Sequence, residues 1–292
     1  MTLAVVLALA LLVGVALGAL GGGGSILTVP LLVYVAGLEP KQAIATSLLV
    51  VGVTSAVGAL SHARARRIRW RTGLLFGAGG TVGALGGGIL GARVPGHLLL
   101  VGFALMMLAT ALAMLRDARE IEATEEPQVV GALVDGVVVG AVTGLVGAGG
   151  GFLVVPALVL RGGIPMSAAV GTSLVVIVMK SSAGFAGYVT QVSVPWGLAA
   201  GVTVAAVAGS VVGSRLAGRT SETRLRRSFG WFVLVVGSFV LLQEAAPTAW
   251  LGPGTVVLAV AGCAVACRRR WWPRSRSASS ARSPRAGRRT PG

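Results

Sequence analysis

Two glycine-rich stretches interrupt an otherwise apolar chain. They read GGGGSILTVP at residues 21–30 and GAGGGFLVVP at residues 147–156, and each ends in Val-Pro. Glycine leaves backbone N–H groups accessible, so a glycine break followed by a helix presents unpaired donors at the positive end of that helix. Such a helix start attracts anions without a charged side chain. The two stretches therefore predict a binding site for a small anion, although close helix packing is an alternative use of the same glycines.

Paired hydroxyls and one lysine accompany the glycine stretches. A Thr-Ser pair follows each stretch, and Lys180 comes seven residues after Ser173, on the same face of a helix. Hydroxyl donors can bind carboxylate or sulfonate oxygens, and a lysine inside a membrane span is a functional candidate by default. The alternatives are hydroxyls that bond back to their own helix and a lysine that extends to the interface or pairs with Asp135. The candidate solute-binding residues are Gly21, Gly22, Gly23, Gly24, Ser25, Thr46, Ser47, Gly147, Ala148, Gly149, Gly150, Gly151, Thr172, Ser173 and Lys180.

No catalytic or metal-binding constellation is recognisable in the sequence. Cys263 and Cys267 lie one helical turn apart, without a His or acidic neighbour suited to a metal. His62 and His97 fall in predicted loops, with no nucleophile or acid at motif spacing. A GxGxxG pattern at residues 86–91 lacks the strand and the ribose-binding acid that a dinucleotide site needs. We therefore expect neither an enzyme nor a bound cofactor or metal.

The composition places these residues in a membrane. Of 292 residues, 54% are hydrophobic and only 12% are charged, which is typical of a membrane protein. Several apolar runs reach the roughly 20 residues that a helix needs to cross the hydrocarbon. Runs of this length favour helices over barrel strands. The predicted fold class is therefore all-α, a polytopic helical membrane protein.

The chain is an internal duplication. A shift of 126 positions aligns the two glycine stretches, the two Thr-Ser-Leu sequences, Trp70 with Trp196, and Phe103 with Phe229, without a gap from residue 21 to about 115. Small residues also recur every fourth position from Gly79 to Gly91 and from Gly201 to Ala217, which predicts helices that approach a neighbour closely. The apolar segments lie near 3–20, 25–37, 42–60, 72–92 and 98–115, and again near 129–146, 151–162, 168–189, 195–217 and 228–243, with one more near 250–267.

The charges indicate that the two copies are inserted in opposite directions. Residues 62–71 carry five arginines while their counterpart, 188–196, carries no charge; conversely, 215–227 carries five arginines where the first copy has only Arg93 and His97. By the positive-inside rule both arginine clusters face the cytoplasm. This predicts two inverted repeats with broken or re-entrant helices, as in many secondary transporters. Each repeat then has an odd number of crossings, and the short second segment either spans by tilting or is re-entrant.

The expected organisation follows from these boundaries. It comprises a first transmembrane repeat at 1–115, a cytoplasmic linker at 116–128, a second transmembrane repeat at 129–243, an extra transmembrane helix at 250–267 and a disordered basic cytoplasmic tail at 268–292. The tail holds nine arginines and no acid. Its composition predicts disorder, contact with anionic lipids at the inner leaflet and no specific nucleic-acid partner.

The paired motifs resemble one known family. GGGGSILTVPLL followed by AIATSLL, and GAGGGFLVVPAL followed by AVGTSLV, are similar to the TauE/SafE family, the sulfite-exporter group of membrane permeases, and the similarity extends to about residue 267. It implies transport of small, often sulfur-containing anions such as sulfite or sulfoacetate, without an ATPase domain. Ala148 stands where the first copy has Gly22, and Gly151 where it has Ser25, so the two half-sites need not contribute equally.

The resulting prediction is a permease or exporter of small anions in the inner (plasma) membrane that works by alternating access, with its C-terminus in the cytoplasm. The coupling ion, proton or sodium, is left open. The alternative is a passive anion channel built on the same inverted repeat.

Overall fold

The described part of the chain is helical throughout its regular elements, as expected for the all-α class. The computed structural model describes residues 2–20, 23–66, 68–115, 129–147, 151–160, 166–217 and 222–245. Its helices are α1 (Thr2–Leu20), α2 (residues 23–35), α3 (Pro40–Arg64), α4 (Trp70–Arg93), α5 (Gly96–Leu115), α6 (Val129–Val146), α7 (Gly151–Leu160), α8 (Met166–Val189), α9 (Trp196–Ala217) and α10 (Glu222–Ala245). The predicted linker, extra helix and basic tail lie outside the described residues.

Four of the described helices are long and apolar enough to cross a membrane. They are α3, α4, α8 and α9, so the 126-residue shift relates them in pairs. Large apolar side chains project outward from them: Val82 on α4 and Val204 on α9 are 67% and 70% exposed. An exposed valine at mid-helix is stable where the surrounding solvent is lipid rather than water. The fold is therefore that of a polytopic membrane protein.

The second segment of each repeat is short, as predicted. Helix α2 begins as a 3-10 helix at Gly23–Leu27, becomes α-helical over Thr28–Pro30 and widens to a π-helix at Leu31–Val35. Proline has no backbone N–H, which removes one helical hydrogen bond where the winding changes. Helix α7 has 10 residues and rises about 15 Å, half of what the hydrocarbon requires.

Glycine stripes hold the first helix of each repeat against the fourth helix of the other. In α4, a Cβ added at Gly83 would collide with the carbonyl oxygen of Val137 and lie 2.7 Å from the amide nitrogen of Ala141, both in α6. In α9, a Cβ at Gly209 would likewise collide with the carbonyl oxygen of Leu11 in α1. Only glycine allows backbones this close. The predicted four-residue ladders are confirmed as packing surfaces.

The central pair, α3 with α8, is antiparallel. Its contacts join Gly58 with Leu174, Gly52 with Ser181, and Leu48 with Gly184. Residue numbers rise along α3 while those of the contacting residues on α8 fall. The two helices nevertheless occupy the same place in their repeats. This arrangement is consistent with two inverted repeats. We call the α3–α8 interface the seam; its midpoint, where a residue faces its own repeat counterpart, falls near Val53 and Met179.

Candidate functional site

The two hydroxyl pairs lie at opposite ends of the seam. Thr46 and Ser47 are in the second turn of α3, and Thr172 and Ser173 are in the second turn of α8. Because α3 and α8 run antiparallel, equal positions along the two helices come at opposite heights. The contacts place Thr46 level with residue 186 of α8, 14 residues from Thr172, or about 20 Å at 1.5 Å per residue. The pairs therefore do not line one common site, and we describe two half-sites.

The first half-site combines the hydroxyls of α3 with the glycine break of the second repeat. Gly147 follows the last turn of α6 with a φ of +72°, and an added Cβ there would collide with Ile44 of α3. Ser47 lies one turn beyond Ile44 on the same side of that helix. Gly151 begins α7, while Ala148, Gly149 and Gly150 lie outside the described residues.

The second half-site, at Thr172 and Ser173, lies near the end of α1, whereas Ile26 and Leu27 at the start of α2 pack with Ile44 and Leu48 of α3. Leu17, near the end of α1, belongs to one apolar cluster with Leu174, the neighbour of Ser173. Helix α2 then begins at Gly23, and Ser25 within it is fully buried. Gly21 and Gly22 lie outside the described residues. The opening turn of α2 and helix α7 contact each other, so the segments that follow the two breaks meet inside the fold.

Thr172 and Thr46 differ in what their hydroxyls bind. The backbone N–H of Arg69, the residue before α4, donates to Thr172 Oγ1 at 3.0 Å. The repeat counterpart of Arg69 is Pro195, which has no N–H to donate. Accordingly Thr46 Oγ1 is buried and has no hydrogen-bond partner among the described residues.

The serines of the two pairs differ in the same way: the α8 serine has a hydrogen-bond partner, and the α3 serine has none among the described residues. Ser173 Oγ donates to the carbonyl oxygen of Val170 at 2.8 Å. This is a bond back to its own helix, the alternative role for these hydroxyls given above. Ser47 Oγ is fully buried without a hydrogen-bond partner in the described part of the chain. Buried polar groups are almost always paired with protein, water or ligand. The α3 pair is thus the one whose hydroxyls have no hydrogen-bond partner among the described residues.

Lys180 is buried close to the midpoint of the seam. Its side chain is 1% exposed, and its Nζ donates to Thr143 Oγ1 of α6 at 3.2 Å. Thr143 in turn donates to the carbonyl oxygen of Val139 at 2.8 Å. The ammonium therefore points into the helix bundle and does not extend to the membrane interface. Asp135, the alternative partner for Lys180 suggested by the sequence, is half-buried. It lies two turns before Thr143 on α6.

Two further serines, absent from the sequence predictions, lie at the centre of the fold. Ser55 and Ser181 are fully buried, and neither hydroxyl has a hydrogen-bond partner among the described residues. The 126-residue shift aligns them with each other. That alignment was the available signal, but nothing in the sequence indicated that both would face the seam.

The groups in this arrangement are hydrogen-bond donors and one cation, which suit solute binding. The arrangement offers neutral hydroxyl donors and one ammonium, which can hold a negatively charged solute without a general acid or base. In the described ranges no group of three or more His, Cys, Asp and Glu residues could hold a metal ion.

Comparison with known proteins identifies the family. The family model described as "Sulfite exporter TauE/SafE" matches residues 6–240. A "Probable membrane transporter protein" of Xylella fastidiosa strain Temecula1 is 36% identical over 241 residues, covering 80% of this chain and 92% of the relative. YdhB of Bacillus subtilis, named a probable membrane transporter protein, is 25% identical over 236 residues, covering 79% of this chain and 96% of the relative. No solved structure matches the chain at a significant level. The chain therefore belongs to the TauE/SafE sulfite exporter family and is a membrane transporter.

Proposed function

We propose that this protein is a permease for small sulfur oxyanions, sulfite or an organosulfonate such as sulfoacetate, and that it works by alternating access. The observation that carries the proposal is the line of buried hydroxyls along the seam that have no partner among the described residues, with Lys180 at the level of its midpoint and its ammonium directed toward α6. Buried hydroxyls of this kind imply a partner with acceptor oxygens.

The charge balance of the seam favours an anion. Lys180 is the one Lys, Arg, His, Asp or Glu side chain recorded as buried in the described part of the chain. An ammonium at this depth raises the local potential, and low surrounding polarity strengthens its attraction for a negative solute. The family description, which names sulfite, supports a sulfur oxyanion in particular.

The two half-sites support alternating access. Their hydroxyl pairs are counterparts in the two repeats and lie on opposite sides of the midpoint, as expected when one site is exposed to each side of the membrane in turn. The half-site at Thr172 is tied to the loop before α4 by the Arg69 bond, whereas the half-site at Thr46 lacks an equivalent bond. We infer that the Thr46 side opens more readily in this conformation.

The proposed orientation follows the arginine clusters. The α3–α4 loop is cytoplasmic, which puts the Thr172 half-site on the cytoplasmic side and the Thr46 half-site on the opposite side of the inner membrane. The C-terminus, beyond the described residues, is cytoplasmic under the same scheme.

Transport by purified protein in proteoliposomes tests the proposal. Radiolabelled sulfite and sulfoacetate are expected to accumulate against a gradient and to lose that accumulation when an ionophore dissipates the driving ion gradient. Ser47→Ala should raise the half-saturating concentration about tenfold, since it removes one hydrogen bond to a charged solute. The matched control is Thr110→Ala, because the Thr110 hydroxyl of α5 donates to its own helix at Met106. Passive flux without accumulation would favour the channel, and absence of any anion flux would refute the proposal.

A further inference from the structure

Ser55 and Ser181 both face the seam, and they do so close to its midpoint. Leu48 and Gly52 contact α8, and Ser55 continues the same face of α3 at the next helical step. A Cβ added at Gly52 would lie 3.5 Å from the Cβ of Ser181 on α8. The residue of α3 level with Ser181 is thus Gly52, three residues from Ser55, so the two serines are offset by about 5 Å along the seam.

Neither serine uses its hydroxyl in the ways usual for a membrane helix. Serine and threonine hydroxyls in helices bond back to a carbonyl of the preceding turn, and Thr81, Thr110 and Thr203 do so here. Ser55 and Ser181 make no hydrogen bond within the described residues, although both are fully buried. Two orphaned hydroxyls at repeat-related positions, close to the ammonium-bearing helical turn, require a common explanation.

From this geometry we infer that Ser55 and Ser181 form a central binding position for a tetrahedral or trigonal oxyanion, between the two half-sites. The inference rests on the proposed function and adds to it an intermediate position at the pseudo-twofold midpoint. One hydroxyl from each repeat donates to a different oxygen of the solute. Lys180, the residue before Ser181, adds a positive charge at the same level of α8, with its ammonium held by Thr143 of α6. The position is used equally from both sides because its two donors are repeat counterparts.

Cysteine accessibility tests the position without relying on transport. Ser55→Cys and Ser181→Cys are made separately after Cys263 and Cys267 have been replaced by serine. Each is treated with two thiol reagents of similar size, the anionic 2-sulfonatoethyl and the cationic 2-trimethylammonioethyl methanethiosulfonate. We expect both cysteines to react, and to react roughly tenfold faster with the anionic reagent because of the adjacent ammonium. Thr110→Cys, buried in α5, is the control and should react with neither.

Transport by Ser55→Ala/Ser181→Ala provides the second readout. The double variant should fold, since it removes two unpartnered hydroxyls, and thermal unfolding no lower than that of the wild type will show this. Its transport rate should fall roughly tenfold or more, because two hydrogen bonds to a charged solute are lost. Single variants should lie between the double variant and the wild type.

The outcomes separate this inference from the proposed function. Cysteines that neither reagent reaches, or a folded double variant that transports like the wild type, would overturn the central position and indicate hydroxyls that contact only water. If the wild type moved no sulfur oxyanion but the cysteines still preferred the anionic reagent, the substrate assignment would fail and the central anion position would stand.

Discussion

Replacing Lys180 with methionine should make the protein more stable and less active. Methionine keeps most of the apolar stem and removes only the ammonium. A lysine at the centre of a membrane helix costs about 2.5–3.5 kcal/mol on insertion scales. The bond to Thr143 offsets about 1.5 kcal/mol of that cost. Because Thr143 keeps its bond to Val139, no hydroxyl is orphaned, and the net gain in unfolding free energy should be about 1–2 kcal/mol.

Thermal unfolding and anion flux, measured on the same Lys180→Met preparation, check this prediction. The unfolding temperature should rise by several degrees while uptake of sulfite or sulfoacetate falls at least tenfold. Lys41→Met is the matched control: Lys41 is half-buried at the start of α3 and donates to the carbonyl oxygen of Ala92 at the end of α4 at 2.8 Å. Losing that helix-end bond should lower stability by about 1 kcal/mol and leave transport in place.

Either of two results would refute the reasoning for Lys180. A variant that unfolds at a lower temperature than the wild type would show that the ammonium has a structural role, held by contacts stronger than the Thr143 bond. A stabilised variant with unchanged flux would show that the charge takes no part in attracting the solute.

Three further predictions concern packing, the hydroxyl asymmetry and orientation. Gly83→Ala should lower the unfolding free energy by about 2 kcal/mol, since its Cβ collides with backbone atoms of α6. Gly86→Ala on the same helix has open space at its Cβ and should not lower it. Equal unfolding temperatures for the two variants would contradict the close packing of α4 and α6. Thr172→Val should cost about 1–2 kcal/mol of stability, because it leaves the backbone N–H of Arg69 without its acceptor. Thr46→Val should cost little stability but weaken anion uptake. If Thr46→Val unfolded at the lower temperature of the two, the asymmetry of the half-sites would be contradicted. A cysteine at exposed Ser193 in a background without native cysteines should react with an impermeant thiol reagent added outside intact cells, and protection there with reaction only after lysis would invert the proposed orientation.

Much of the architecture could be predicted because its signals are local. The length of an apolar run determines whether a helix can span the hydrocarbon, and the four-residue spacing of glycines determines which face approaches a neighbour. The predicted ladder at Gly79–Gly91 packs on α6 as expected. The short second segments and the Thr-Ser pairs in α3 and α8 likewise follow from residue type and spacing, whereas the sequence left open whether Lys180 is buried or extends to the interface.

The grouping of the candidate residues was decided by tertiary structure. Thr46 and Thr172 occupy equal places in the two copies, and their sequence context suggested one shared site; the antiparallel seam separates them by about 20 Å instead. The same pairing brings Ser55 and Ser181 together near the midpoint, because counterparts close to the crossing point stay close while counterparts far from it diverge.

The amino-acid sequence by itself determined the membrane environment, the helices, the duplication and the types of group available to a solute, since these depend on composition and on spacing along one helix. Only the tertiary structure decided which of those groups share a location and which hydroxyls are already occupied. The physical reason is that a hydrogen bond such as that from Arg69 to Thr172, or its absence opposite Pro195, depends on the relative placement of helices more than 100 residues apart in the chain.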